Sequence, residues 1–170
     1  MRKSRINKNR VFLGSAYQSY SDDLFRYCFF KTSNPDTAKE IVQETFMRAM
    51  QYLSNGNEIK NTKAFLFTTS RNLVIDWYKK KRYTKPIDEL TDADIYPASE
   101  KAYNLSSIVE KNEVLNAIDG LDSNYKEVLI MRYISGLKIR EIADLLKENQ
   151  STITMRIRRG IDKLKTLLSS

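Results

Sequence analysis

The chain of 170 residues contains no histidine and only one cysteine, Cys28. Histidine is the most common general base and a frequent zinc ligand, so its absence excludes a histidine-dependent catalytic triad and argues against a zinc site. Cys28 lies in the apolar segment from Leu24 to Phe30, which indicates a small core residue rather than a nucleophile or a metal ligand. We therefore expect no catalytic residues, no metal site and no cofactor.

Long apolar runs are also missing. No segment approaches the roughly 20 apolar residues that cross a bilayer, and the basic start, Arg2 to Arg10, is not followed by the apolar block of a signal peptide. We expect a cytoplasmic protein without membrane insertion. The formal net charge of +8 favours an anionic partner, and the position of the charge must decide between nucleic acid and an acidic membrane surface.

Apolar residues of the first half recur at helical spacing, and no strand pattern is present. A first helix is predicted from Val11 to Lys31. Asn34 can cap a second helix that has Pro35 at its first position. The residues predicted to face inward from this second helix are Ala38, Ile41, Val42, Thr45, Phe46, Ala49, Met50 and Leu53. Its predicted outer face consists of Glu40, Gln43, Glu44 and Arg48.

A third helix is predicted from a cap at Asn61 and Thr62 to a basic run that ends at Arg82. Its predicted core stripe consists of Leu66, Ser70, Leu73 and Trp77. Asn72 and Asp76 lie towards the opposite side of this helix. A polar row that leads into a basic end suits the binding of a nucleic-acid strand.

Residues 86–100 differ in composition from the helical parts. They include five acidic residues and two prolines but no lysine or arginine, and they lack an apolar period, so we interpret them as part of an extended linker. The predicted organisation is all-α, with a helical domain at 1–85, a flexible acidic linker at 86–107 and a second helical domain at 108–170.

The segment 137–168 predicts two helices joined by a tight turn, a helix-turn-helix whose second helix enters a DNA major groove. The apolar positions are Ile139, Ile142, Leu145, Leu146, Ile153, Ile157, Ile161, Leu164 and Leu168, and the cations of the second helix are Arg156, Arg158, Arg159, Lys163 and Lys165. A preceding helix is predicted from a cap at Asp122 to a stop at Gly136, with Val128, Leu129, Met131 and Tyr133 as its apolar residues. A solvated basic face on an ordinary helical hairpin is the alternative interpretation.

Three segments together resemble the extracytoplasmic-function (ECF) sigma factors, the smallest members of the sigma-70 family of bacterial transcription initiation factors. Residues 38–50, AKEIVQETFMRAM, are similar to the helix that binds core polymerase in that family. Residues 65–76, FLFTTSRNLVID, resemble its W-L-Y-x-I-A-R-N-x-x-I-D segment, and residues 139–164 resemble its region-four helix-turn-helix. Lys147 and Glu148 stand where the turn of that motif usually has a glycine and an apolar residue.

The resemblance implies a promoter-specificity subunit with a region-two-like domain at 1–85 and a region-four-like domain at 108–170. The implied partners are core RNA polymerase, promoter DNA and an anti-sigma factor. On the polymerase, the contacts are the clamp coiled coil of the largest subunit and the flap. The residues that the resemblance assigns to the clamp are Glu40, Gln43 and Glu44.

The resemblance also implies two sets of DNA contacts. The melted minus-ten strand is assigned to Asn55, Gly56, Asn57, Asn72, Asp76, Lys79 and Lys80. The minus-thirty-five duplex is assigned to Thr152, Thr154, Met155, Arg156, Arg158 and Arg159, with Thr152 and Arg156 on phosphates. These residue types suit the roles, because amides and carboxylates match base edges and small loop residues let a nucleotide approach the backbone.

Two other functions fit parts of the sequence. A stand-alone regulator would bind duplex DNA as a dimer through the helix-turn-helix, without polymerase. An enzyme that acts on DNA would need the acidic segment to bind magnesium and a serine as nucleophile, but no serine is paired with a recognisable base. The resemblance extends over nearly the whole chain and favours the initiation factor.

Overall fold

The computed structural model describes residues 2–83 and 117–169. Every regular element in these two ranges is helical, which confirms the all-α prediction. The elements are α1 (Arg2–Thr32), α2 (Pro35–Ser54), α3 (Thr62–Tyr83), α4 (Ser123–Leu129), a π-helical turn (Ile130–Ile134), α5 (Ile139–Leu146) and α6 (Gln150–Leu168). The chain divides into two compact units, Met1–Tyr83 and Thr84–Ser170. The predicted linker at 86–107 lies outside the described residues.

The first unit is a bundle in which each of the helices α1, α2 and α3 packs against the other two. Leu24, Tyr27 and Cys28 of α1 lie fully buried at its centre. The rings of Tyr27 and Phe67 meet edge to face with centroids 5.9 Å apart, a favoured aromatic geometry that adds to the burial of both rings. This contact joins α1 to α3.

Helix α2 begins and faces inward as predicted. The Asn34 side-chain oxygen accepts a hydrogen bond from the Thr37 backbone N–H at 2.9 Å, and Pro35 follows at the first helical position. The buried residues are Ala38, Ile41, Val42, Thr45, Ala49 and Leu53, and Phe46 and Met50 are half-buried. The inner face of α2 therefore fixes which side chains remain outside.

Two predictions for the first unit were wrong in detail. Helix α1 begins at Arg2 instead of Val11, because arginine and lysine sustain a helix through propensity where no apolar period marks it. On α3, Leu73 and Trp77 are only half-buried, and Phe67 and Val74 are buried in their place. The edge-to-face contact of Phe67 with Tyr27 accounts for this rotation of the core stripe.

The second unit contains α4, the π-helical turn, α5 and α6. Gly136, with φ +66°, ends the π-helical turn as predicted, and the Leu137 N–H donates to the Met131 carbonyl at 2.9 Å. Of the four apolar residues named for this helix, Val128, Leu129 and Met131 are buried, whereas Tyr133 is exposed by 62%. The wider π-helical turn accounts for this difference, because it moves later residues off the period of an α-helix.

Asp122 stands at the N-cap of α4 as predicted, but its side chain makes no capping bond. Its carboxylate instead accepts a hydrogen bond from Lys163 Nζ at 2.8 Å. Leu168 was predicted to need a core but is exposed by 44%. It lies in the last turn of α6, beyond the buried positions Ile153, Ile157 and Gly160.

Gly160 marks the close approach of α4 and α6. A methyl group at this position would lie 3.2 Å from Leu129 Cδ1 and 3.3 Å from Tyr125 Cβ. Glycine within a helix costs up to about 1 kcal/mol relative to alanine, but here it lets the two helices pack closely. Gly14 of α1 has no such neighbour, since a methyl group there would meet nothing within 4 Å.

We predict that Gly160→Val lowers the free energy of unfolding of the second unit by about 1 to 3 kcal/mol, because the larger side chain overpacks the contact with α4. Urea unfolding followed by circular dichroism measures the change, while the fluorescence of Trp77, the single tryptophan, follows the first unit. The control is Gly14→Ala, which should stabilise the first unit by up to about 1 kcal/mol. Unchanged stability of Gly160→Val would contradict the role of this glycine.

Candidate polymerase and nucleic-acid interfaces

The residues assigned to polymerase binding, Glu40, Gln43 and Glu44, are all exposed on α2. Their spacing of three and four residues places them on one face of the helix, opposite the buried stripe. Arg48 Nε donates to Glu44 Oε1 at 2.9 Å. Both side chains of this pair are about half exposed, so solvent screens the pair and it contributes little to stability. The α2 face thus presents carboxylates and an amide to a partner.

Sequence reasoning missed an apolar groove beside this face. The groove lies between α1 and α2 and has a volume of about 760 Å³. Tyr17, Phe46 and Met47 contribute to its lining, and Gln43 lines it as well. Tyr17 and Met47 are exposed by 53% and 56%. The only signal in the sequence is the position of Met47 four residues after Gln43, which places both residues on one side of α2.

The residues assigned to the minus-ten strand on α3 form one continuous stripe. Asn72, Asp76, Lys79 and Lys80 are all exposed, and their spacing of four, seven and eight residues puts them on the same side of the helix. Lys81 lies apart from this stripe, with Nζ 5.2 Å from the centroid of the Trp77 ring. Groups that can bind base edges therefore lie next to cations that attract phosphates.

The loop between α2 and α3 carries the other residues assigned to the minus-ten strand. Asn55, Gly56 and Asn57 are exposed, and Gly56 has φ +96°, a conformation that glycine adopts readily. The Asn57 side-chain amide donates to the Tyr52 carbonyl at 3.1 Å. The Asn61 side-chain oxygen accepts from the Ala64 N–H at 3.0 Å and so begins α3 as predicted. These hydrogen bonds hold both ends of the loop.

The turn of the helix-turn-helix has the backbone conformation that a glycine usually provides. Lys147 ends α5 with φ +56° and ψ +43°, which is left-handed. A side chain in this conformation costs roughly 1 kcal/mol or more. The Glu148 N–H donates to the Ala143 carbonyl at 3.0 Å, which closes the end of α5. Lys147 therefore adopts the left-handed conformation for which glycine is usually favoured.

On α6 five of the six residues assigned to the minus-thirty-five duplex are exposed, namely Thr152, Thr154, Met155, Arg158 and Arg159. The opposite side of α6 is buried at Ile153 and Ile157. The Thr154 hydroxyl donates to the Gln150 carbonyl at 2.8 Å, so its oxygen and methyl group remain for a base. A methyl group packs against the methyl group of thymine, and the two N–H donors of an arginine can bind guanine O6 and N7 together.

Arg156 is the exception among these six residues. Its two terminal nitrogens donate to the two carboxylate oxygens of Glu148 at 3.1 and 2.6 Å, and its side chain is exposed by 22%. The structure thus places the guanidinium against the turn between α5 and α6. The phosphate contact expected of Arg156 stays a prediction.

Sequence reasoning also missed two residues of α4 that lie beside α6. Asn124 and Tyr125 share a cavity of about 760 Å³ with Thr152 and Arg159. Lys163 Nζ lies 4.9 Å from the centroid of the Tyr125 ring. The hydrogen bond that Lys163 donates to the Asp122 carboxylate, followed by the negative charge of that carboxylate, raises the pKa of Lys163. No local pattern predicts these neighbours, because α4 and α6 are distant in the sequence.

Within residues 2–83 and 117–169, no cluster of cysteine and acidic side chains could bind a metal ion. The acidic residues that would serve a magnesium site, Asp88, Glu89, Asp92 and Asp94, lie outside the described residues. No helix in the described part of the chain is both long and apolar enough to span a membrane.

The chain matches the family model of Sigma-70 region 2 over residues 16–84 and that of Sigma-70, region 4 over residues 111–164. It is 28% identical to ECF RNA polymerase sigma factor BldN of Streptomyces coelicolor, over 91% of this chain and 60% of BldN. It is 25% identical to RNA polymerase sigma factor SigV of Bacillus subtilis, over 99% of this chain and 97% of SigV. Among solved structures, the sigma factor RpoE in complex with the anti-sigma factor NepR from Bartonella quintana has a similar fold. Its TM-score is 0.68 at 24% identity, over 92% of this chain and 96% of that chain.

The region-two and region-four family models match the chain in that order, one in each half. These matches define the class of protein as a transcription initiation factor that directs RNA polymerase to promoters. The chain belongs to the sigma-70 family, in its ECF group. The predicted family and function are confirmed, and the stand-alone regulator is not favoured.

Cys28 offers a test of the core of the first unit. The residue is fully buried, and burial raises the pKa of its thiol to about 12. Because the thiolate is the reactive form, we predict that a disulfide reagent labels the native protein at pH 8 far more slowly than it labels the protein in urea. Absorbance of the released thiolate measures both rates. Labelling of the native protein at the rate of a free cysteine peptide would contradict the buried position.

Proposed function

We propose that the chain binds core RNA polymerase with α2, the melted minus-ten strand with α3 and the preceding loop, and the minus-thirty-five duplex with α6. On this proposal residues 1–85 form the region-two-like domain, 108–170 form the region-four-like domain and 86–107 connect them. One observation carries the proposal. Each of these helices buries one side, and the residues that the family resemblance assigns to partners are exposed on the other side, except Arg156.

The polymerase contact is proposed for Glu40, Gln43 and Glu44 against the clamp coiled coil of the largest subunit, with the flap as the contact of the region-four-like domain. The exposed carboxylates favour a cationic partner surface. Exposed Met47 and Tyr17 add apolar area beside them, which suits the core of an interface. This combination supports α2 as the helix that binds polymerase.

The single-strand contact is proposed for the stripe on α3. Asn72 has donors and acceptors for a base edge, and Asp76 can accept from a cytosine amino group. Lys79 and Lys80 add phosphate attraction that carries no sequence information and weakens with salt. Asn55, Gly56 and Asn57 would bind one flipped base, because Gly56 has no side chain to keep the base from the backbone.

The duplex contact is proposed for the exposed side of α6. Arg158 and Arg159 would read guanine through O6 and N7, a contact that contributes about 1 to 3 kcal/mol of discrimination. Thr154 and Met155 would lie against neighbouring bases, and the hydroxyl of Thr152 would bind a phosphate. Arg156 would join Thr152 on the phosphates with its full charge only after leaving Glu148.

The proposal also includes where the chain acts and which further partner binds it. The chain acts in the cytoplasm and is not an enzyme, since the chemistry of RNA synthesis belongs to the polymerase. The solved relative RpoE is bound to an anti-sigma factor, and we propose that this chain has a partner of the same kind. Such a partner would prevent initiation by covering the exposed faces of α2 or α6.

We predict that charge reversal on α2, Glu40→Lys with Glu44→Lys, weakens binding to core polymerase at least roughly tenfold, or about 1.4 kcal/mol. The reversal places cations against a surface that attracts carboxylates. Fluorescence anisotropy of the labelled chain titrated with core polymerase measures the affinity. The control is Glu58→Lys, at an exposed position in the loop before α3, which should leave the affinity unchanged. Equal affinities of the α2 variant and the wild type would count against the proposed face.

We predict that run-off transcription by core polymerase on genomic fragments acquires new start sites when the intact chain is added. Asn72→Ala should abolish most of this initiation, because a base contact is lost. Arg158→Ala and Arg159→Ala should reduce the preference among promoters by roughly 5- to 150-fold, which corresponds to about 1 to 3 kcal/mol. The controls are Gln18→Ala and Lys165→Ala, both at exposed positions. Start sites that do not depend on the added chain would refute the proposed function.

A further inference from the structure

The Glu148–Arg156 pair joins the turn to the DNA-facing helix in an arrangement that the family resemblance does not explain. Two parallel hydrogen bonds of 3.1 and 2.6 Å connect the guanidinium and the carboxylate. This fork-to-fork geometry is the strongest form of an arginine ion pair. Glu148 stands where the family motif usually has an apolar residue, so the partner of Arg156 is a feature of this chain.

The charge of the pair matters for DNA binding. Arg156 and Glu148 together carry no net charge, and their side chains are exposed by only 22% and 32%, so neither is freely hydrated. A cation strengthens DNA binding by releasing counterions from a phosphate. Glu148 engages two of the five guanidinium N–H donors of Arg156. Its carboxylate also cancels the charge of Arg156 and repels a phosphate, so Arg156 contributes little to counterion release while it is paired.

Arg158 and Arg159, the arginines that follow Arg156 on α6, differ from it in exposure and in ion pairing. Arg158 and Arg159 are exposed on α6, and neither is paired with a carboxylate of residues 117–169. They can therefore reach DNA without breaking an ion pair within residues 117–169. The two cations proposed to read bases are unpaired in that range, whereas Arg156, which the resemblance assigns to a phosphate, is paired with Glu148.

We propose that Glu148 keeps Arg156 off the DNA phosphates and so lowers the overall affinity of α6 for duplex DNA and its dependence on salt. This inference rests on the proposed duplex contact of α6. A phosphate contact strengthens all sequences alike, whereas a base contact strengthens one. By removing one phosphate contact, Glu148 lowers the affinity for every duplex by the same factor and makes binding less dependent on salt, while the contribution of the base contacts stays unchanged.

The test is the salt dependence of DNA binding by reconstituted holoenzyme, containing core polymerase and the full chain. Two labelled duplexes are compared between 50 and 200 mM salt, a promoter fragment and the same fragment with a scrambled minus-thirty-five element. Core polymerase contributes equally in every case, so differences between variants report on this chain. The variants are Glu148→Gln, Arg156→Gln, the double variant, and Asp144→Asn as a control. Asp144 is exposed on α5, so its exchange changes the net charge by the same amount without releasing Arg156.

We expect Glu148→Gln to steepen the slope of log affinity against log salt by about 0.9, the value for one added phosphate contact. Its gain in affinity over wild type should then fall by roughly 3.5-fold between the two salt concentrations. The ratio of promoter to scrambled binding should stay at the wild-type value, because the added contact strengthens both duplexes alike. Arg156→Gln, the double variant and Asp144→Asn should keep the wild-type slope.

Three results would overturn the role of Glu148. A shallower slope for Arg156→Gln would show that Arg156 already binds a phosphate in the wild type, and this readout does not depend on the folding of Glu148→Gln. An unchanged slope for Glu148→Gln would leave the pair with a structural role only. Equal slopes for Asp144→Asn and Glu148→Gln would assign the effect to net charge. If wild-type holoenzyme failed to distinguish the two duplexes, the proposed function itself would fall, and this inference with it.

Discussion

Each candidate interface depends on the burial of one apolar stripe on its helix. A helix that buries a single stripe exposes the residues of the other side in a fixed order. On α2 the buried Ala38, Ile41 and Thr45 leave Glu40, Gln43 and Glu44 outside. On α6 the burial of Ile153 and Ile157 leaves Thr154, Arg158 and Arg159 outside. The core thus positions the groups that are proposed to bind partners.

Charge is distributed between the helices in a way that suits two kinds of partner. The face of α2 is rich in carboxylates, whereas the end of α3 and the exposed side of α6 are cationic. Several charges are engaged within the chain, however. Arg48 forms an ion pair with Glu44, Lys163 with Asp122 and Arg156 with Glu148. A count of lysines and arginines in the sequence therefore overstates the cations that are available to DNA.

Much of the fold was predictable because its signals are local. The cap at Asn34, the first position at Pro35, the glycine stop at Gly136 and the inner face of α2 each depend on residues within a few positions of one another. The rotation of α3 towards Phe67 was not predictable, because it results from a contact with Tyr27 on another helix. The exposure of Tyr133 was missed for a related reason. A π-helical turn changes the period on which such a prediction is based.

Like the fold, the candidate site has some features that the sequence predicts and others that depend on the tertiary structure. The sequence by itself determined the all-α class, the resemblance to the ECF sigma factors and the exposed positions of Glu40, Asn72 and Arg158, because helical periodicity and motif spacing are properties of the linear chain. Only the tertiary structure decided that Arg156 is paired with Glu148, that Gly160 lets α4 approach α6, and that Asn124 and Tyr125 lie beside α6. These contacts join residues whose separation has no helical period, so packing alone brings them together.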